Sequence, residues 1–286
     1  MNIAAMFIYG TIGVFRKYTN VSSGMLAFMR GALGTVFLVI FVKIRGGKLS
    51  NNIGRRCVLL LAISGALIGI NSAMLFEGFN YTTVATVTLC YYMAPTFIIL
   101  LSPLVLKEKL TLKKIICALI AILGMVFVSG VVGQGLPSRG ELTGILLGLG
   151  AAVIYAIVVM INKKLPGIDA FEKTTLQLAF AAIVMVPYLF ATNGWTLPEI
   201  SFKVIILLLI MGLVHTGIAY ALYFASMDGL EAGTVALFSY IDPVVSVILS
   251  VIILHEEMTV FSCIGAVLIL GAAAASELKL KLKRRS

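Results

Sequence analysis

Apolar residues run through this chain in long stretches, separated by short breaks where Lys, Arg, Asn, Gly or Pro gather. Cutting at those breaks leaves ten hydrophobic segments: Asn2 to Tyr18, Ser23 to Val42, Cys57 to Phe79, Thr82 to Leu106, Leu112 to Val132, Thr143 to Asn162, Phe171 to Thr192, Phe202 to Met227, Leu230 to Leu254 and Val260 to Ser276. At about 1.5 Å of rise per residue, segments of this length cross a hydrocarbon core of about 30 Å, so the pattern predicts ten transmembrane helices with no soluble domain between them. The first is the exception. Its purely apolar part, Asn2 to Phe15, reaches only about 21 Å, so either the helix borrows Arg16 to Thr19 or the natural start lies upstream. It has neither a basic leader nor a small-residue cleavage site, which argues against a removable signal peptide.

The segments repeat. TVTLCYYMAPTFIILLSPLVLKEKLT, Thr86 to Thr111, recurs as TVALFSYIDPVVSVILSVIILHEEMT, Thr234 to Thr259, with Tyr92 on Tyr240, Pro95 on Pro243, Leu106 on Leu254, Glu108 on Glu256 and Thr111 on Thr259 at one offset. Tyr9 falls in the same way on Tyr155, Gly65 on Gly212 and Phe76 on Phe224, allowing a residue of drift. The chain therefore divides into a five-helix repeat over residues 1–133, a linker over 134–141, a second five-helix repeat over 142–278 and a basic tail over 279–286. With an odd number of spans per unit, the second copy must sit upside down relative to the first, an inverted-topology repeat. Pro95 and Pro243 are expected to bend the fourth and ninth helices near the midplane, facing each other across a cavity, because each removes a backbone donor.

Composition agrees with an all-α integral membrane protein: 60% of residues are hydrophobic, 12% charged, and the mean hydropathy is +1.09. A net charge of +10 would suggest nucleic acid in a soluble protein, but here the basic residues sit between the apolar runs and read as topology signals. With both termini placed in the cytoplasm, the inner loops hold Lys43, Arg45, Lys48, Arg55, Arg56, Lys107, Lys109, Lys113, Lys114, Lys163, Lys164 and Lys173, and the tail adds five more. The outer loops hold only Arg16, Lys17, Arg139 and Lys203, so the bias sets the orientation. The four cysteines, Cys57, Cys90, Cys117 and Cys263, lie in or beside apolar runs without C-x-x-C spacing, so neither a disulfide framework nor a zinc site is indicated.

Few polar groups lie deep in the spans, and each has two readings. Asp242, beside Pro243, is the carboxylate at the midpoint of the ninth segment, with Ala94 in its place in the first half. A carboxylate there costs about 2.5 to 3.5 kcal/mol on insertion scales and so needs a partner, a wet cavity or a task. It is the candidate proton carrier, or else it caps a kinked helix against a Tyr or Ser. Arg30, about 10 Å inside the second segment with Gln177 as repeat mate, binds an anionic group, pairs with Asp242, or snorkels to headgroups. His215 is a titratable candidate or a hydrogen-bonded packing residue. Asn71 lines a cavity or bonds a neighbouring helix. Tyr9, Tyr91, Tyr92, Tyr155, Tyr220, Tyr223 and Tyr240 mostly lie away from the interfacial belt and are cavity-lining candidates. Gly65 with Gly69 and Gly144 with Gly148 form small-x-x-x-small faces for close helix packing. Thr111 and Thr259 are read as N-caps following corners at Glu108 and Glu256. His255-Glu256-Glu257 departs from H-E-x-x-H, and G-x-x-x-x-G-K is absent, so neither a metal nor a nucleotide cofactor is expected.

Tyr9-Gly10-Thr11, Phe28-Met29-Arg30-Gly31, Gly217-Ile218-Ala219-Tyr220, Tyr240-Ile241-Asp242-Pro243 and Leu254-His255-Glu256-Glu257-Met258-Thr259 together resemble the drug/metabolite transporter superfamily, in its ten-helix group of two EamA-type repeats. That family usually has Trp-Gly at Tyr9-Gly10, Glu at Asp242 and Gly at His255. The resemblance implies a central cavity lined by spans one to four and six to nine, with spans five and ten peripheral, and alternating access without ATP. It implies a secondary-active carrier of small organic metabolites in the plasma membrane, in a family that moves amino acids, nucleotide-related metabolites, cofactors and drugs and so leaves the substrate open. A monomer or homodimer exporting amino-acid-like solutes is expected because Arg30 with Asp242 would suit a zwitterion, with protons as the candidate coupling ion. The substrate-binding candidates are Tyr9, Arg30, Asn71, Tyr91, Tyr92, Tyr155, His215, Tyr220, Tyr240 and Asp242. An efflux carrier for cationic or lipophilic compounds is the alternative. An intramembrane lipid-modifying enzyme would need clustered acids, and the chain has 12 Asp and Glu, mostly in loops.

Overall fold

A computed structural model describes residues 1–44, 54–106, 111–165, 168–192, 201–227 and 238–277, and among these all regular structure is helical. Spans one to three are Asn2–Lys17, Ser23–Ile44 and Arg55–Tyr81. The fourth comes in two pieces, Val84–Tyr91 and Ala94–Leu106, and the fifth is Leu112–Val128, followed by a short helix Val131–Gln134. The sixth and seventh are Arg139–Lys163 and Ala170–Ala191. The eighth runs Phe202–Leu209, then a π-helical stretch Ile210–Ile218, then Ala219–Met227; the ninth and tenth are Ile241–Leu254 and Val260–Glu277. Spans two, three, four, six, seven and eight are long and apolar enough to cross a membrane, with the ninth and tenth shorter apolar helices. Each of the ten segments read from the pattern thus contains described helix, and the chain is an all-α membrane protein. The start of the ninth segment, Lys107 to Lys109 and the basic tail lie outside the described residues.

Local chemistry explains the helix ends. The first helix takes in Arg16 and Lys17, so that it runs sixteen residues. Thr83, Thr111, Ser201 and Asp169 each accept a backbone N–H of the first turn that follows, as does Thr259 from Ser262. The sixth helix starts at Arg139, inside the stretch read from sequence as linker. Ser138 and Glu141 form a reciprocal capping box, Ser138 Oγ accepting from the Glu141 N–H at 3.2 Å and Glu141 Oε2 from the Ser138 N–H at 2.8 Å. That S-x-x-E spacing just ahead of an apolar run is a helix-start signature.

The helix pairings repeat when the two halves are exchanged. The first span packs on the ninth, and its counterpart the sixth packs on the fourth. The third packs on the sixth and seventh, and the eighth on the first and second. The second with the seventh, and the fifth with the tenth, are self-paired under the same exchange. The fifth and tenth sit at the margin, where Leu119, Leu123 and Val267 are exposed as lipid-facing residues should be. They cross where Gly124 and Gly265 oppose each other: a Cβ on either would lie under 3 Å from the other's carbonyl oxygen.

Candidate functional site

The fourth span is interrupted at Tyr92 and Met93, and the ninth at Tyr240, repeat mates. Pro95 is the second residue of the helix after the first interruption, and Pro243 the third after the second. In a first turn the missing N–H has no intrahelical partner to lose, so each proline starts a helix rather than bending a continuous one. The expected bends are therefore breaks. Nor do they face each other across a gap: Thr88 and Ser246 share a hydrogen bond of 3.1 Å, and Tyr92 donates its hydroxyl to Asp242 Oδ2 at 2.7 Å. Residue numbers rise along one helix as they fall along the other, so the two spans run antiparallel. Asp242 also lies in the first turn of its helix, where the backbone dipole favours negative charge.

The first span reaches this point through Gly10. A Cβ there would lie 2.7 Å from the Asp242 carbonyl oxygen and 2.7 Å from Val245 Cβ, so a bare backbone is what lets the span approach. Its neighbours then take defined positions. Tyr9 packs edge-on to Tyr220 at 5.7 Å between ring centres, and its hydroxyl is buried without a hydrogen-bond partner among the described residues. Thr11 donates to the Ile8 carbonyl at 2.7 Å and shares a 2.7 Å hydrogen bond with His215 Nε2. His215, 1% exposed, has the Phe15 ring edge-on at 4.8 Å and so joins spans one and eight as a packed, bonded residue.

Arg30 does not pair with Asp242. Its Nε donates to Thr216 Oγ1 at 3.1 Å, and its guanidinium carbon lies 5.2 Å over the Phe76 ring. Thr216 in turn donates to the Met211 carbonyl, five residues back, at 3.2 Å, a reach that the π-helical winding provides. Gln177, the repeat mate of Arg30, donates at 2.7 Å to both Ser64 Oγ and Asn162 Oδ1. Asn71 donates to the Ala151 carbonyl at 2.6 Å, the interhelical role.

Tyr91 packs against Tyr92 and Tyr155, with ring centres 6.0 and 5.7 Å apart. Arg30 and Asp242 both act electrostatically on the Tyr9 and Tyr91 hydroxyls, so the two ionisable groups face one cluster of rings. Of the sequence candidates, the structure thus gathers Tyr9, Arg30, Tyr91, Tyr92, Tyr155, Tyr220 and Asp242. Tyr240 stands at the break, while Asn71 and His215 are turned into helix contacts.

The end of the bundle where the first span finishes carries a second set of polar contacts. Arg16, 5% exposed, donates to the Thr19 carbonyl, Ser23 Oγ and Asn80 Oδ1 at 2.9 to 3.1 Å, and Ser23 donates to Glu77 Oε2 at 2.6 Å. Glu256 accepts the Val84 and Ala85 N–H groups at 2.9 and 3.3 Å, and Lys17 Nζ lies 3.8 Å from it. Glu256 is therefore more than the corner of its own span: it caps the fourth. The turn that delivers it needs His255 in the left-handed region, φ 53° and ψ 34°, where Glu256 N–H bonds back to the Ser250 carbonyl.

A solved crystal structure superposes with a TM-score of 0.67 over 96% of this chain and 94% of its own at 19% identity, which supports the fold. The uncharacterized transporter YxxF of Bacillus subtilis (strain 168) is 26% identical over 95% of this chain and 86% of its own. The biotin transporter of Escherichia coli (strain K12) is 23% identical over 83% and 78%. The description of the EamA-like transporter family matches residues 1–130 and again 142–276, nearly the whole length in two copies. The chain belongs to the EamA-like transporter family: it is a multi-pass membrane transporter built from two EamA regions, not an enzyme.

Proposed function

We propose that this transporter is a secondary-active carrier of small organic solutes, working by alternating access and exchanging its solute for protons at Asp242. The observation that carries the reading is the Asp242–Tyr92 hydrogen bond, because it places an ionisable group of one half against the helix break of the other. A carboxylate there can hold a proton or a cationic group of the solute, and the two compete for one site. Such competition makes the exchange obligatory, and an inward proton gradient then drives the solute outward. Arg30 and Asp242, facing the same tyrosines without pairing, offer opposite charges to the two ends of an amino-acid-like zwitterion. The distribution of basic loops favours cytoplasmic termini in the plasma membrane. An efflux carrier for cations would use Asp242 and the rings of Tyr91, Tyr92 and Tyr155, but would leave Arg30 opposing its substrate.

Reconstituted vesicles with an imposed pH gradient test the coupling. Asp242→Asn, which keeps the shape and a hydrogen bond with Tyr92, should lose uphill transport while still binding solute. Undiminished uphill transport by that variant would refute the proton role.

A further inference from the structure

Arg30 is a fork held at its base and open at its tips. The Nε–H is committed to Thr216, and the guanidinium carbon rests over the Phe76 ring. Four N–H donors on the two terminal nitrogens remain, in the parallel arrangement that matches a planar oxyanion. Among the described residues the ion pair is Lys17–Glu256, so no carboxylate of those residues neutralises Arg30. Asp242 is engaged by Tyr92, and Glu77 by Ser23 and Asn80. The guanidinium borders a small recess walled by Ala27, Gly31, Gly69, Ser72, Thr216 and Tyr220. Tyr220 packs edge-on with Tyr9, whose buried hydroxyl also lacks a partner among the described residues. The repeat mate provides an internal contrast: Gln177 closes its amide on Ser64 and Asn162, completing a scaffold contact.

We propose that the open fork of Arg30 and the Tyr9 hydroxyl seat a carboxylate of the transported solute, so that its substrates are carboxylate-bearing zwitterions and not organic cations. This rests on the carrier reading above. The choice of carboxylate follows from charge and room. One guanidinium balances one negative charge, whereas a phosphate monoester would bring nearly two with no second cation in the recess. The open space beside it, bounded also by Ile68 and Leu178, is about that of one water, room for a carboxylate oxygen and not for a phosphate group. The brace through Thr216 explains why the eighth span is π-helical there: in α-helical winding a threonine hydroxyl meets the carbonyl three or four residues back, and the π register turns it to hold Arg30 from behind.

The test uses full-length protein in lipid nanodiscs and thermal shift with benzoate, biotin, L-leucine and L-phenylalanine, each beside its methyl ester, and with tetraphenylphosphonium. At least one acid should stabilise the wild type while its ester does not. Arg30→Gln should weaken that acid's binding more than tenfold, Arg30→Lys about tenfold because charge survives but the fork does not, and Tyr9→Phe severalfold. Thr216→Val, which removes only the brace, should fold and weaken binding less than Arg30→Gln. Acids without effect on the wild type, acid binding unchanged in Arg30→Gln and Arg30→Lys, or esters and tetraphenylphosphonium binding as well as acids, would overturn the proposal. Arg30-dependent binding without flux into vesicles would instead refute the carrier reading, and Arg30-independent flux of a cation would refute the carboxylate seat alone.

Discussion

Replacing Glu256 by alanine removes the group that ties the ninth span to the start of the fourth, and the structure sets the size of the effect. The side chain is only 10% exposed, and the two N–H groups that it accepts belong to Val84 and Ala85, at 0% and 2% exposure. Water cannot replace the carboxylate without movement of the helices. Each orphaned buried donor costs about 1 to 3 kcal/mol, whereas measured losses of a helix cap run at about 0.5 to 2 kcal/mol because structures relax. Two donors then give an expected loss of about 2 to 3 kcal/mol. Lys17, with its side chain 35% exposed and 3.8 Å away, adds only about 0.2 to 1 kcal/mol. Glu256→Gln keeps one acceptor oxygen and falls between, near 1 kcal/mol.

In a carrier that energy does not have to appear as unfolding. It can appear as a shift toward the conformation in which this end of the bundle parts, by about thirty- to a hundred-and-fifty-fold for 2 to 3 kcal/mol. Hydrogen exchange at the Val84 and Ala85 amides reads both possibilities, since the bond breaks either way, and a thermal melt separates them. Glu256→Ala should speed that exchange by the stated factor and Lys17→Ala by less than about fivefold. Unchanged exchange in Glu256→Ala, or a larger effect from Lys17→Ala, would refute the reasoning.

Three further outcomes are expected. His255→Gly should raise the melting temperature slightly, by the equivalent of about 0.5 to 1 kcal/mol, since the left-handed turn at φ 53° strains any residue with a Cβ; a lower temperature counts against it. Gly10→Ala should cost about 1 to 3 kcal/mol and depress transport, because its Cβ meets the Asp242 carbonyl, while Gly54→Ala, with nothing within 4 Å, should be near neutral in the same melt. Single cysteines near Arg139 should react with an impermeant thiol reagent applied outside intact cells and cysteines at Lys48 should not; the reverse pattern would invert the orientation.

The helices and the two-copy plan were legible because each rests on many residues at once: hydrophobic runs of span length, and one register holding prolines, tyrosines and threonines together. Helix starts at Thr111 and Thr259 were legible for a local reason, a hydroxyl placed against a first-turn N–H, and the same signal at Ser138 stood unread inside the stretch taken as linker. What sequence could not reach is which polar side chain meets which across the bundle. Pairing with Asp242 was one of the readings open to Arg30, yet each is bonded by a neutral group with no signature of its own, Thr216 and Tyr92. Nothing in IMGLVHTGI separates a π-helix from an α-helix, since both bury the same residues and differ by one carbonyl in register. His255 is the instructive case. It stands where the resemblance expects a glycine, its backbone is left-handed as a glycine's can be without strain, and the turn it makes carries Glu256 to the fourth span. In this chain the position is therefore a backbone requirement, and the group that acts there is the residue after it.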